Sequence, residues 1–259
     1  MGYRILAVIS VALLGAIWAQ SPAARPEFEV ASIKRNTSGD AGSYFRPSAG
    51  RFSTTNVTLK NLLTYAFRVR DFQISGGPSW INSERYDIEA KADSNPTPEQ
   101  MERMLQGLLA DRFTLKVHRE TEELPIYVLT VAKNGLKIQP AKEGSCINPE
   151  PGKPPPPGQK PSASCGFRGM GRGRYDATRI NAAALATDLS ALLGRTVVDT
   201  TALTEAFEIH LRFAPEDAPD STSPSIFTAV QEQLGLKLES GKGPVEVLVI
   251  DQVEKPSEN

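Results

Sequence analysis

Cysteine and histidine are scarce in these 259 residues, with two of each. The two thiols lie far apart, with no neighbouring histidine or second cysteine pair, so a four-ligand zinc set cannot be assembled from them. An excess of one charge is also lacking. The formal net charge is −1, and losing Arg4 with a leader leaves 28 basic against 30 acidic residues. Such balance argues against binding a nucleic-acid backbone, which requires a basic face to displace counterions. The sequence contains no G-x-S-x-G, H-E-x-x-H or S-x-x-K, so the usual signatures of a nucleophile elbow, a zincin or a serine–lysine hydrolase are missing. GMGRG, at Gly169, lacks the strand before and the helix after that a dinucleotide loop needs. No catalytic, cofactor or metal-ligating residue is assigned on these grounds.

What is present is an ordinary globular composition, 40% apolar, with 20 proline and 20 glycine residues gathered in local clusters. Residues 1–23 read as a signal peptide. Arg4 supplies the positive start, Ile5 to Trp18 the apolar run, and small residues around Ala19 to Ala23 the cleavage region. No later segment is apolar enough to span a bilayer, so the mature chain is expected in the periplasm or outside the cell. In that oxidising setting Cys146 and Cys165, which bracket a proline-rich loop, are expected to pair. Within it, Pro154 to Pro157 read as a stiff polyproline II spacer.

The loop at 146–165 divides the chain into a first unit at 24–145 and a second at 166–259. GRFSTTNVTLKNLL from Gly50 is echoed by GRYDATRINAAALATDL from Gly173, an offset of 123. In the first half Thr58 caps a helix with an apolar stripe at Leu59, Leu62, Leu63, Ala66 and Phe67. In the second Asn181 caps a helix with a stripe at Leu185, Leu189, Leu192 and Leu193, and Gly194 stops it. Alternating strands follow at Arg85 and Ala206. A further helix follows in each half, capped by Thr97 in one and by Ser223 with Pro224 in the other. Each half then ends on an expected strand pair. SGKG is read as a hairpin turn, and HRETEELP, with Glu120, Glu122 and Glu123, as a solvated connection. The whole predicts an α+β fold of two similar units, each a mostly antiparallel sheet with two helices on one face.

His118 and His210 are expected to face solvent on strands, and Asp87 and Glu89 to point outward beside basic neighbours. Arg168, Arg172 and Arg174 form the one local basic cluster, in a Gly-rich loop. The candidate ligand contacts are Trp80, beside a glycine–proline turn, and Tyr44, Phe45 and Arg46, read as another loop. A tryptophan closing one end of the core is the plainer account of Trp80.

FEVASIK, the block LLADRFTLKVHRETEELPIYVLTVAKNG, LLGRTVVDTTAL and the ending LGLKLESGKGPVEVLVIDQVEKPSEN resemble a large paralogous family of exported, uncharacterised proteins from soil acidobacteria. In related architectures the same domain follows membrane metallopeptidase sensors of the beta-lactam-response type, which implies extracytoplasmic recognition. Where that family usually carries glycine, this chain has Ala202 and Glu205, so the turn there is expected to differ. Ser223 to Asp251 bears a weaker similarity to the small N-terminal modules of secretins and TonB-dependent receptors, which favours protein docking. The expected function is therefore a binding module for an envelope protein or cell-wall ligand. The alternatives are an extracytoplasmic hydrolase using outer-face carboxylates or histidines, and a purely structural surface protein.

Overall fold

The computed structural model describes residues 26–256 apart from 41, 49, 149–157, 159 and 216–221. Residues 1–23, expected as a signal peptide, and Pro154 to Pro157 lie outside the described residues. In chain order the strands are β1 Val30–Asn36, β2 Tyr44–Ser48, β3 Arg51–Thr58, β4 Ile74–Gly76, β5 Arg85–Lys91, β6 Lys116–Val131, β7 Arg168–Gly171, β8 Arg174–Asn181, β9 Val197–Asp199, β10 Ala206–Arg212 and β11 Leu236–Gln252. The helices are α1 Leu59–Phe67, α2 Pro98–Arg112, α3 Ala182–Leu193 and the short α4 Ile226–Ala229, which widens into a π-turn at Val230–Leu234.

Local chemistry explains the helix starts. Thr58 and Thr97 each accept from the backbone three residues on, while Asn61 and Gln100 return the bond to the cap residue, satisfying amides that would otherwise be orphaned. Asn181 caps α3 in the same sense, and Gly194 ends it in the left-handed region. The expected stripe of α1 is buried at Leu59, Leu62, Leu63 and Ala66. Each leucine there contributes about 2 kcal/mol by leaving water. At α4 the cap is Ser225, whose hydroxyl accepts from the Thr228 amide. Ser223 and Pro224 thus precede the cap, correcting the expected helix start by two residues.

The α+β class is as expected, with three sheets among the described residues. The first has the order β1-β5-β3-β2 and the second β10-β8-β7, both antiparallel throughout. The third has the order β4-β11-β6-β9 and draws on both halves of the sequence. β6 and β11 pair antiparallel along their full lengths, from Leu236 opposite Val131 to Gln252 opposite Lys116. The terminal strand pairs expected within each half are therefore absent. SGKG is strand interior, with Gly241 opposite Ile126, and HRETEELP belongs to β6. At Gly243 an added Cβ would sit 2.8 Å from Ile126 Cδ1, so the tip of that side chain would have to shift. Pro125 and Pro244 are tolerated because the short outer strands β9 and β4 pair only with Tyr127–Leu129 and Leu248–Ile250, so no ladder bond is lost at either proline's outer side.

This exchange shapes the cores. The first, under α1 and α2, takes Leu248 and Ile250 from β11, and the second, under α3, takes Leu129 from β6. Leu136 and Ile138, just past β6, pack against the second core too. Cys146 and Cys165 form the expected disulfide, with Cα atoms 5.0 Å apart. No helix among the described residues is long and apolar enough to cross a membrane.

Candidate functional site

The stretch RVRDFQ follows α1, where Arg68 takes a left-handed backbone that turns the chain sharply. That turn brings Val69, Arg70 and Phe72 across from α3 and the start of β9. The result is a groove between the halves, made of two adjoining hollows of about 470 and 630 Å³ that share Thr64, Val69, Arg70 and Phe72. Thr187 and Ser190 close the first hollow and Ala191 and Gly194 the second. Thr64 and Thr187, 123 positions apart in the sequence, face it from the two halves.

One wall of the larger hollow is aromatic. Phe45 stacks on Tyr65 with centroids 5.6 Å apart, and Phe52 lies behind both, 5.5 Å from Tyr65 and 6.3 Å from Phe45. Burial, reinforced by the nearby Glu102 carboxylate, pushes the Tyr65 phenol up, so it stays protonated at neutral pH. The charges around the groove are mostly committed. Arg68 bonds Glu102 at 2.7 Å, Lys60 pairs with Asp71, and Arg195 sits 4.7 Å over the Tyr127 ring. Arg70 is exposed and forms no ion pair among the described residues.

The expected contacts fall in two places. Tyr44, Phe45 and Arg46 form β2, the edge strand of the first sheet, which corrects the loop expectation. Tyr44 is 53% exposed with the Arg46 guanidinium 5.7 Å from its ring centroid, while Phe45 turns inward to the groove wall. Trp80 is half-buried in a 3₁₀ turn, packs on the first core, and carries the Lys255 ammonium 5.9 Å from its ring. Among the described residues no ring contact or hydrogen bond joins it to β2.

His118 and His210 stand on different sheets. His118 Nδ1 lies 2.9 Å from Asp251 and Nε2 3.6 Å from Glu120, and the Asp251 bond raises its pKa above the usual 6.5. His210 Nδ1 is 2.9 Å from Asp176, which also receives Arg212 at 2.9 Å. No group of three or more His, Cys, Asp or Glu with metal-holding geometry occurs among the described residues. Asp87 accepts from the Asn36 side chain and the Asn56 amide, and Glu89 from Ser53, so both are structural acceptors. Arg168 lies in β7, with its Nε 3.1 Å from the buried Asp188, and the Gly-rich segment is a β7–β8 ribbon in place of the expected loop.

Of the groove residues, Phe45 was legible in the sequence as a candidate contact, whereas Val69, Arg70 and Phe72 match no motif. Arg70 and Phe72 sit in an unremarked connection, and their partners on α3 lie more than 110 positions away. The model of a family described as "Protein of unknown function (DUF3738)" matches residues 60–253. No curated protein and no solved structure matches the chain.

Proposed function

The chain belongs to that DUF3738 family of proteins of unknown function, and from this premise we propose that it is an exported, non-catalytic binding module for an envelope protein or cell-wall ligand. The observation that carries the reading is the β2 edge, where exposed Tyr44 and its companion Arg46 flank Phe45, the residue that leads into the groove. An edge strand offers unpaired backbone groups to an added strand, and tyrosine and arginine are the side chains that most often anchor interfaces. The leader pattern and the Cys146–Cys165 disulfide support export. Binding is favoured over hydrolysis because His118 and His210 stand on different sheets and line neither hollow of the groove. The resemblance to exported acidobacterial paralogues, and to the domain carried behind metallopeptidase sensors, fits recognition outside the cytoplasm.

Two copies of one unit, fused and folded through each other, account for the recurrent offset. Gly50 and Gly173 both take φ of +70°, and Thr58 and Asn181 both cap the helix that follows. The functional test is in-cell crosslinking of the tagged protein with identification of what co-purifies. A specific envelope partner that is lost on Tyr44→Ala and Arg46→Ala supports the docking reading. A partner set indifferent to both substitutions would overturn it, and recovery of none would favour a small-molecule ligand or an unrecognised enzyme.

A further inference from the structure

The polar groups left uncommitted in the groove can all donate, and Arg70 can do nothing else. Arg70 makes no ion pair, and the hydroxyls of Tyr65 and Thr196 have no hydrogen-bond partner among the described residues. The other hydroxyls there are occupied: Thr64 donates to Asn61 O, Thr187 to Ala183 O, and Ser190 to Ala186 O while accepting from the Val197 amide. The one carboxylate on the lining, Asp71, is held by Lys60. The Arg70 cation calls for a guest with acceptors and negative charge, and both hydroxyls can donate to the same group. Its body must suit the face of the Phe45–Tyr65 stack and the Phe72 side chain. The hollows, at about 470 and 630 Å³, are of the size that small molecules or a short chain end fill, and are smaller than a folded protein surface requires.

We propose that the groove is a carboxylate-binding site, in which Arg70 grips the carboxylate in its planar fork, Tyr65 donates a second hydrogen bond, and the Phe45–Tyr65 wall takes an apolar or aromatic body. The same chemistry is presented by a free aryl acid and by a peptide C-terminus ending in an apolar residue. This inference rests on the binding-module reading and names what one of its surfaces takes.

The test uses the disulfide-bonded protein, followed by amide NMR during titration with phenylacetate, with N-acetylphenylalanine, and with the peptide Ala-Ala-Phe in free-acid and amidated forms. The acids are expected to shift signals of 64–73 and 187–197 saturably, and each amide to bind at least about tenfold more weakly, the loss expected for one charge-assisted bond. Arg70→Gln, at an exposed position where unfolding temperature should not change, is expected to remove the preference for acid over amide, and Tyr65→Phe to weaken the acids several-fold. The peptide arm and the aryl-acid arm separate the two sources by which saturates first. Equal binding of acid and amide, an acid preference that survives Arg70→Gln, or no saturable shift with any acid would each overturn the proposal. If the acids fail while crosslinking to a partner still depends on Tyr44 and Arg46, only the groove inference falls.

Discussion

Ala202 holds φ of +58° in the turn after β9, the conformation that a glycine would take without strain. The turn is enforced by its neighbours, since Asp199 Oδ1 accepts from both the amide and the hydroxyl of Thr201, and the Thr201 hydroxyl accepts from the Leu203 amide. Ala202 itself is exposed, so its methyl group adds no packing. A left-handed backbone costs a residue with a Cβ about 1–2 kcal/mol, and the greater freedom of glycine in the unfolded chain offsets about 0.4–1 kcal/mol of the relief. Ala202→Gly should therefore stabilise the fold by about 1 kcal/mol, or about 2–4 °C in unfolding temperature for a chain of this size. Gly194, also at φ of +58° and with open space where its Cβ would be, provides the opposite experiment. Gly194→Ala should destabilise by about 1 kcal/mol through the same strain. Both are read by calorimetry and urea denaturation at neutral pH. If Ala202→Gly lowers stability while Gly194→Ala lowers it too, the turn does not hold Ala202 as described and the reasoning fails.

The remaining predictions concern titration and a buried polar pair. Because the Asp251 bond raises the His118 pKa, the protonated imidazole favours the folded state: that contribution is complete below about pH 6.5 and disappears as pH rises through the higher folded value. NMR titration should place the His118 midpoint above 6.5 and return it toward 6.5 in Asp251→Asn; an unmoved midpoint would refute the pairing. In the second core the Tyr175 hydroxyl donates to Asp188 at 2.6 Å, and both residues are buried. Burial above all, together with that bond, pushes the phenol pKa up, so the donor is always present. Tyr175→Phe should cost about 1.5–3 kcal/mol, the worth of a hydrogen bond to a charged group, with the Arg168 ion pair to Asp188 left in place. A loss below about 0.5 kcal/mol, the scatter of neutral surface changes, would contradict this.

Where the sequence was legible, the cause was local. Thr58, Thr97 and Asn181 satisfy amides three residues away, Gly194 ends α3 in the left-handed conformation, and the stripe of α1 is buried at Leu59, Leu62, Leu63 and Ala66. The pairing of Cys146 with Cys165 follows from their being the only two thiols. Where it misled, a distant chain segment determined the outcome. SGKG has the composition of a hairpin turn, yet it runs as strand opposite Leu124 to Tyr127, with Gly243 close against Ile126, a side chain more than 110 residues earlier. Tyr44 and Arg46 read as loop residues beside a proline and a glycine, and become an edge strand only because β3 is there to pair with them.

By itself, then, the sequence determined the caps of α1, α2 and α3, the stapled loop and the α+β class, because each rests on contacts within a few residues or on a simple count. Only the tertiary structure decided that β6 and β11 run as single paired strands, that each half completes the core of the other, and that Arg70 and Tyr65 face α3 across a groove. Those outcomes depend on side chains more than a hundred residues apart meeting in space, and nothing in the local spacing of either segment encodes its partner.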